Sequence, residues 1–177
     1  LFAQTGQKTV PRHGFYAHIT VARPEARGQV TLASADPAAP PVIDQNYNGT
    51  EHDRRVMREG VRIARRVFAQ PAFDHFRGEE LAPGAAIASD ADIDAHIRAA
   101  AEADYHSTST ARMGSDPMAV VDAELRVRAL GGLRVVDASI MPHLPGGNTA
   151  IPVAMIAEKA ADLILGRPAP SAEDPRP

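Results

Sequence analysis

Apolar residues recur at helical spacing in three stretches and alternate with polar ones in several shorter runs. Val56, Met57, Gly60, Val61, Ile63, Ala64, Val67 and Phe68 follow a 3.6-residue period, with arginines between them, which predicts an amphipathic helix. Thr50 with Asp53 reads as its N-cap pair, and Pro71 marks its end. Ser89 opens a second predicted helix, with Asp90 and Asp92 at the positive end of its dipole and Ile93, Ile97, Ala100 and Ala101 as its apolar face. A third helix follows a Gly146-Gly147-Asn148 loop, with Pro152 near its start and Gly166 just past its end. Residues 15–22 are rich in β-branched and aromatic side chains and read as a strand. Val30 and Leu32 alternate with polar neighbours after an Arg27-Gly28 turn, and Val42-Ile43-Asp44 reads as a short edge strand behind two prolines. Short strands are expected at 120–121, 125–127 and 133–136, with Gly131-Gly132 turning the chain. Strands, then helices, then strands and a helix predict an α+β fold, a mostly antiparallel sheet packed against helices, without internal repeats.

Composition narrows the function classes. The chain has 177 residues, of which 44% are hydrophobic and 23% charged, so a packed domain rather than a disordered one is expected. We place that domain at 1–166 and a flexible, Pro-rich tail at 167–177. The net charge of −3 leaves no basic excess, so nucleic acid is not an expected partner. Absence of cysteine excludes disulfides, zinc thiolates and a cysteine nucleophile. No apolar run reaches the roughly 20 residues that cross a bilayer. The expected location is cytoplasmic, with membrane association through an electron acceptor as the other option. The chain opens at Leu1 in polar sequence, Gln4-Thr5-Gly6-Gln7-Lys8, without an initiator Met or a signal-peptide pattern, and reads as a piece of a longer polypeptide. No Gly-x-Gly-x-x-Gly loop follows a strand, so the chain carries no dinucleotide-binding fingerprint of its own.

Two places hold candidate chemistry. In Tyr105-His106-Ser107-Thr108-Ser109-Thr110-Ala111-Arg112-Met113-Gly114 one imidazole sits among small hydroxyl residues. It reads either as a proton-moving group that a ligand approaches closely, or as a loop histidine whose hydroxyl neighbours make turn bonds. In the second place a strand ends at Asp137, and Gly146-Gly147-Asn148-Thr149 feeds a helix N-terminus. That terminus stabilises negative charge, or is simply capped by Asn148 or Thr149.

Taken in order, Tyr105 to Gly114, then Gly132-Leu133-Arg134-Val135-Val136-Asp137-Ala138-Ser139-Ile140-Met141-Pro142, then Gly146-Gly147-Asn148-Thr149-Ala150-Ile151-Pro152 with Glu158-Lys159-Ala160-Ala161-Asp162 resemble the C-terminal signature of the glucose–methanol–choline (GMC) oxidoreductases, choline dehydrogenase-like members most of all. Gly28-Gln29-Val30-Thr31-Leu32, Asp36-Pro37 and Glu79-Glu80-Leu81-Ala82-Pro83-Gly84 match more loosely. The resemblance implies the substrate-side, catalytic part of an FAD-dependent alcohol oxidoreductase whose FAD-binding half is a separate stretch of the same enzyme. Such an enzyme oxidises a small alcohol to a carbonyl by hydride transfer to flavin N5. It implies His106 and Asn148 as catalytic residues, and Asp137, Ala138, Asn148 and Thr149 as FAD contacts, with no metal. This stretch alone is then expected to be inactive and not to retain FAD. Two departures are visible. Ser107 and Ser109 stand where members commonly have Pro and Gly, and Ala150 stands where a second Asn is common. Neither removes a proposed catalytic group.

The remaining histidines and the arginine run carry less. His52, His75 and His96 are expected to be solvated, His13 and His18 lack an evident third metal ligand, and His143 follows the Met141-Pro142 turn near the second motif. Arg54, Arg55, Arg58, Arg62, Arg65 and Arg66 read as a solvated face with like-charge pairs at i,i+4. Apolar surface is expected around Tyr105, Met113, Ile140 and Ile151. A folded binding module without flavin is the alternative to an enzyme. A hydrolase using Ser107 or Ser109 lacks the strand–Gly-x-Ser-x-Gly–helix context.

Overall fold

Helix α1 (Glu51–Phe68) begins where the Thr50 side chain accepts a hydrogen bond from the Asp53 amide, and carries acids in its first turn and arginines in its last. Both ends therefore complement the helix dipole. The computed structural model describes residues 13–168; the polar opening around Gln4-Thr5 and the tail beyond Pro168 lie outside the described residues. The chain divides after Asp104 into two compact units.

In the first unit, α1 packs against α2 (Asp90–Ala100). A complete capping box starts α2: the Ser89 hydroxyl accepts from the Asp92 amide at 3.1 Å, and the Asp92 carboxylate accepts from the Ser89 amide at 3.2 Å. Val61, Ile93 and Ile97 are the buried centre, with Ile19, Met57 and Ile87 packed on it. Burying a side chain such as Ile93 contributes about 1.5–3 kcal/mol. Ala101 lies outside α2, because its backbone is already extended. At Gly60 a Cβ would come within 2.3 Å of the Ile19 side chain, so glycine lets the 13–20 segment cross close over α1.

Arg55 and Arg66 are exposed as expected of a solvated face, but Arg58 is not, and most of the run is ion-paired. Arg58 is only 9% exposed and is paired with Glu51, Asp90 and Asp94; Arg62 pairs with Asp90, Arg65 with Glu80 at 2.8 Å and Arg66 with Glu59 at 2.9 Å. The i,i+4 repulsion that the sequence suggests is offset by Glu51 and Glu59 of α1 itself, by Glu80 in the loop between the helices, and by Asp90 and Asp94 of α2.

The sheet is smaller than the pattern predicts. Strands β1 (Gln29–Thr31) and β2 (Val42–Asp44) pair antiparallel, Val30 opposite Ile43, and both are exposed along their length. Residues 15–22 form no strand. Phe15 instead packs its ring against Phe68 and Phe73, with centroids 4.9 and 5.3 Å away. Strand propensity reports fit to a half-buried surface and does not supply the neighbour a ladder needs.

The second unit contains α3 (Ala150–Leu165), which ends at Gly166 in the left-handed conformation, φ 66°, as a C-cap glycine should. Its core is Val121, Leu125, Ile140 and Ala160, with Val135, Val136, Ile156 and Leu163 around them. The strands expected at 120–136 reduce to isolated bridges, Met113 with Val121, Val121 with Val127 and Arg126 with Arg134. The chain turns too often there for a ladder to extend. Ile140 is buried and Met113 packs on the core, so the expected apolar surface keeps only Tyr105 and Ile151, which are 86% and 80% exposed.

Candidate functional site

The histidine loop and the turn before α3 belong to the second unit, and backbone bonds join the loop to residues 138–140. The amides of Ser109, Ala111 and Met113 donate to the carbonyls of Ala138, Ser139 and Ile140 at 3.4, 3.0 and 2.7 Å. That ladder fixes the segment following His106 on the 3₁₀ turn Ala138–Ile140, whose last residue anchors the core. Asp137 caps this turn: its carboxylate accepts from the Ser139 amide at 2.7 Å and the side chain is otherwise exposed.

His106 is half-buried. Its Nδ1 lies 3.0 Å from the Thr149 hydroxyl, and the Thr149 amide donates toward the same atom over 3.5 Å. Two residues 43 positions apart are thereby joined. Thr149 is buried at 8% exposure, and its immediate neighbour Asn148 is exposed. The structure brings His106 to Thr149, and so to the turn that carries Asn148. It places Asp137 and Ala138 on the 3₁₀ turn bonded to the histidine loop. His143 is exposed.

The backbone around His106 is unusual. Tyr105 has φ 56° and Ser109 φ 76°, both in the left-handed region that favours glycine. Ser109 occupies the position where the sequence resemblance leads one to expect Gly. The chain keeps the glycine-like conformation without the glycine, and the Ser109 hydroxyl is bonded to Thr108 Oγ1 at 2.9 Å. A strained segment held by a ladder is a common property of functional loops.

The start of α3 differs from the other two helix starts. Helices α1 and α2 are each capped by a side chain and carry acids in the first turn; α3 has no side-chain cap and no acid there. The helix dipole favours an anionic group at that place. Among the described residues no group of three or more His, Asp or Glu is placed to hold a metal ion, and no helix is long and apolar enough to cross a membrane.

Sequence reading did not find the Thr149–His106 bond. The only local sign was a threonine at an N-cap position, which ordinarily predicts a bond to its own helix.

Comparison with known proteins places the chain among one family. The sequence model of the GMC oxidoreductase family matches residues 24–157. The chain is 51% identical over 172 residues to an oxygen-dependent choline dehydrogenase of Paraburkholderia phymatum (strain DSM 17167 / CIP 108236 / LMG 21445 / STM815), covering 97% of this chain and 30% of that protein. It is 48% identical over 162 residues to the oxygen-dependent choline dehydrogenase of Vibrio vulnificus (strain YJ016), covering 90% of this chain and 29% of that protein. Among solved structures, pyridoxine 4-oxidase from Mesorbium loti superposes with a TM-score of 0.77 at 36% identity, over 84% of this chain and 29% of that one. The chain thus spans less than a third of the length of these relatives.

Proposed function

Because this chain belongs to the GMC oxidoreductase family, we propose that it is the substrate-side part of an FAD-dependent enzyme that oxidises an alcohol to a carbonyl. The observation that carries the reading is the hydrogen bond joining His106 to Thr149, which brings an imidazole to the turn bearing Asn148 at an uncapped helix start. FAD, when bound, supplies the acceptor for the hydride at N5.

The residues of this chain do the rest. His106 takes the hydroxyl proton of the alcohol as general base. Asn148, exposed beside the buried Thr149, donates a hydrogen bond to the alcohol oxygen and orients the carbinol carbon. Backbone groups of Asp137 and Ala138, with Asn148 and Thr149, would hold the cofactor, and the start of α3 would favour negative charge on it. The protein contributes position and electrostatics, and the cofactor the redox chemistry.

The substrate is a small alcohol of the choline type, and dioxygen is the acceptor; both are supported by the names of the two relatives. The FAD-binding half is the partner of this chain, supplied by a separate stretch of the same enzyme. Two observations support such a covering partner: α3 exposes Ile151, Met155, Ile164 and Leu165, and β1–β2 exposes Val30, Val42 and Ile43. A helix apolar on most of its faces is ordinarily covered.

The test is His106→Ala in the complete flavoprotein, with anaerobic flavin reduction by the alcohol followed in a stopped-flow spectrophotometer. Loss of a general base slows this step about 10²–10⁴-fold. Reduction at the normal rate would falsify the role given to His106.

A further inference from the structure

The segment that crosses α1 has the two faces of a strand and no strand beside it. Phe15 rests on the Phe68 and Phe73 rings, and Ile19 packs on the centre formed by Val61, Ile93 and Ile97. Val21 is half-buried as well. The residues between them lie on the other face. Tyr16 and His18 are exposed and meet edge to face, with ring centroids 4.9 Å apart. Side chains at i and i+2 on one face, with i+1 on the other, follow the period of a β-strand and not that of a helix. Yet among the described residues no amide or carbonyl of 14–22 takes part in a backbone hydrogen bond. A cavity of about 940 Å³ opens beside the segment within the first unit, with Met57, Ala64 and Phe68 of α1, Leu81 and Ala100 among its walls.

We infer that residues 15–21 are a docking edge for β-strand addition, and that the strand they receive comes from the part of the same polypeptide upstream of this chain. The inference rests on the reading of the chain as the substrate-side piece of a longer flavoprotein. The backbone supplies the recognition. An extended neighbour about 4.8 Å away exchanges N–H···O=C bonds with the segment, as strands of one sheet do. Any other cover would bury these amides and carbonyls without partners, at a cost comparable to a lost hydrogen bond for each. The inner face is already filled by α1 and the core beneath it, so what stays open is the edge and the outer rings. Tyr16 and His18 then offer aromatic surface to cross-strand side chains of the newcomer. The length of chain outside this structure points to the occupant. This chain covers 30% and 29% of its two choline dehydrogenase relatives, so the larger share of such a polypeptide lies elsewhere. The matching stretch is the family's C-terminal part, which puts that share upstream.

The test uses the complete enzyme. Amide hydrogen exchange, read residue by residue, is expected to show at least every second amide of 15–21 exchanging about 100-fold or more slowly than in a free chain. Benzoylphenylalanine in place of Tyr16, activated by light, is expected to form its crosslinks with the stretch upstream of residue 1, located by mass spectrometry. A mixture of isotopically light and heavy protein identifies links between copies. Exchange of 15–21 at the free-chain rate overturns the inference. Crosslinks confined to residues 13–177 overturn it too, as do crosslinks that join a light copy to a heavy one, which assign the edge to a dimer. Both expected signals in a polypeptide that binds no FAD sink the flavin reading and keep the docking edge. Their absence in one that binds FAD sinks the edge alone.

Discussion

Asp53 offers the sharpest test of how the first unit is held. Its carboxylate is 1% exposed and accepts from the amides of Glu25 and Ala26, both at 2.9 Å, so one side chain ties the 24–27 segment to the first turn of α1. Truncation to Ala removes both acceptors and leaves two partly buried amides unpaired. At about 1.5–3 kcal/mol for each bond to a charged group, Asp53→Ala should cost about 3–6 kcal/mol. Asp53→Asn keeps one acceptor oxygen and presents an NH₂ to the second amide, so about half that loss is expected. Against a total stability of about 5–15 kcal/mol, either change moves a denaturant midpoint far beyond error. Burial pushes the Asp53 carboxyl upward, but the Glu25 and Ala26 amides and the Thr50 side chain outweigh it and hold the group below its ordinary value of 3.8. The sign follows. A carboxylate with a lowered folded value contributes stability that is present above 3.8 and is lost as pH falls through the folded value. Asp53→Asn should therefore flatten the acid limb of the stability–pH curve as well as lower its plateau. The assay is equilibrium unfolding by circular dichroism across pH, with amide exchange at Glu25 and Ala26 as the local readout. If Asp53→Ala shifts stability by less than about 1 kcal/mol and those two amides stay protected, the reasoning is refuted.

Two further changes probe the second unit. Ser109→Gly places in the left-handed position, φ 76°, the residue that tolerates it; a non-glycine residue there costs about 1–2 kcal/mol, part of which glycine returns through the entropy of the unfolded chain. A modest rise in thermal midpoint is expected, and a fall would show that the Thr108–Ser109 hydroxyl bond outweighs the strain. Ile140→Ala empties the centre of the core beside Val121 and Leu125 and should cost about 2–5 kcal/mol in denaturant unfolding. A loss below about 1 kcal/mol would mean that the 138–140 turn does not rest on that packing.

The helices were legible because their information is local. Thr50 and Ser89 caps, the Ile93/Ile97 stripe, and Gly166 behind a run of good helix formers each specify an end or a face within one or two turns. The order and spacing of the motifs around His106, Asp137 and Asn148 were legible too, and carried the family. Three things were decided only in three dimensions. Residues 15–22 have strand composition but meet aromatic rings from elsewhere in the unit, and without a ladder partner they stay irregular. Arg58 looks like one of six surface arginines until Asp90 and Asp94 arrive from another helix. Thr149 reads as an ordinary cap until the fold carries His106 across 43 positions to its hydroxyl. Caps and periodicity are short-range and can be read along the chain; the partner of a buried polar group is chosen by whatever the fold brings beside it, and that no stretch of sequence states by itself.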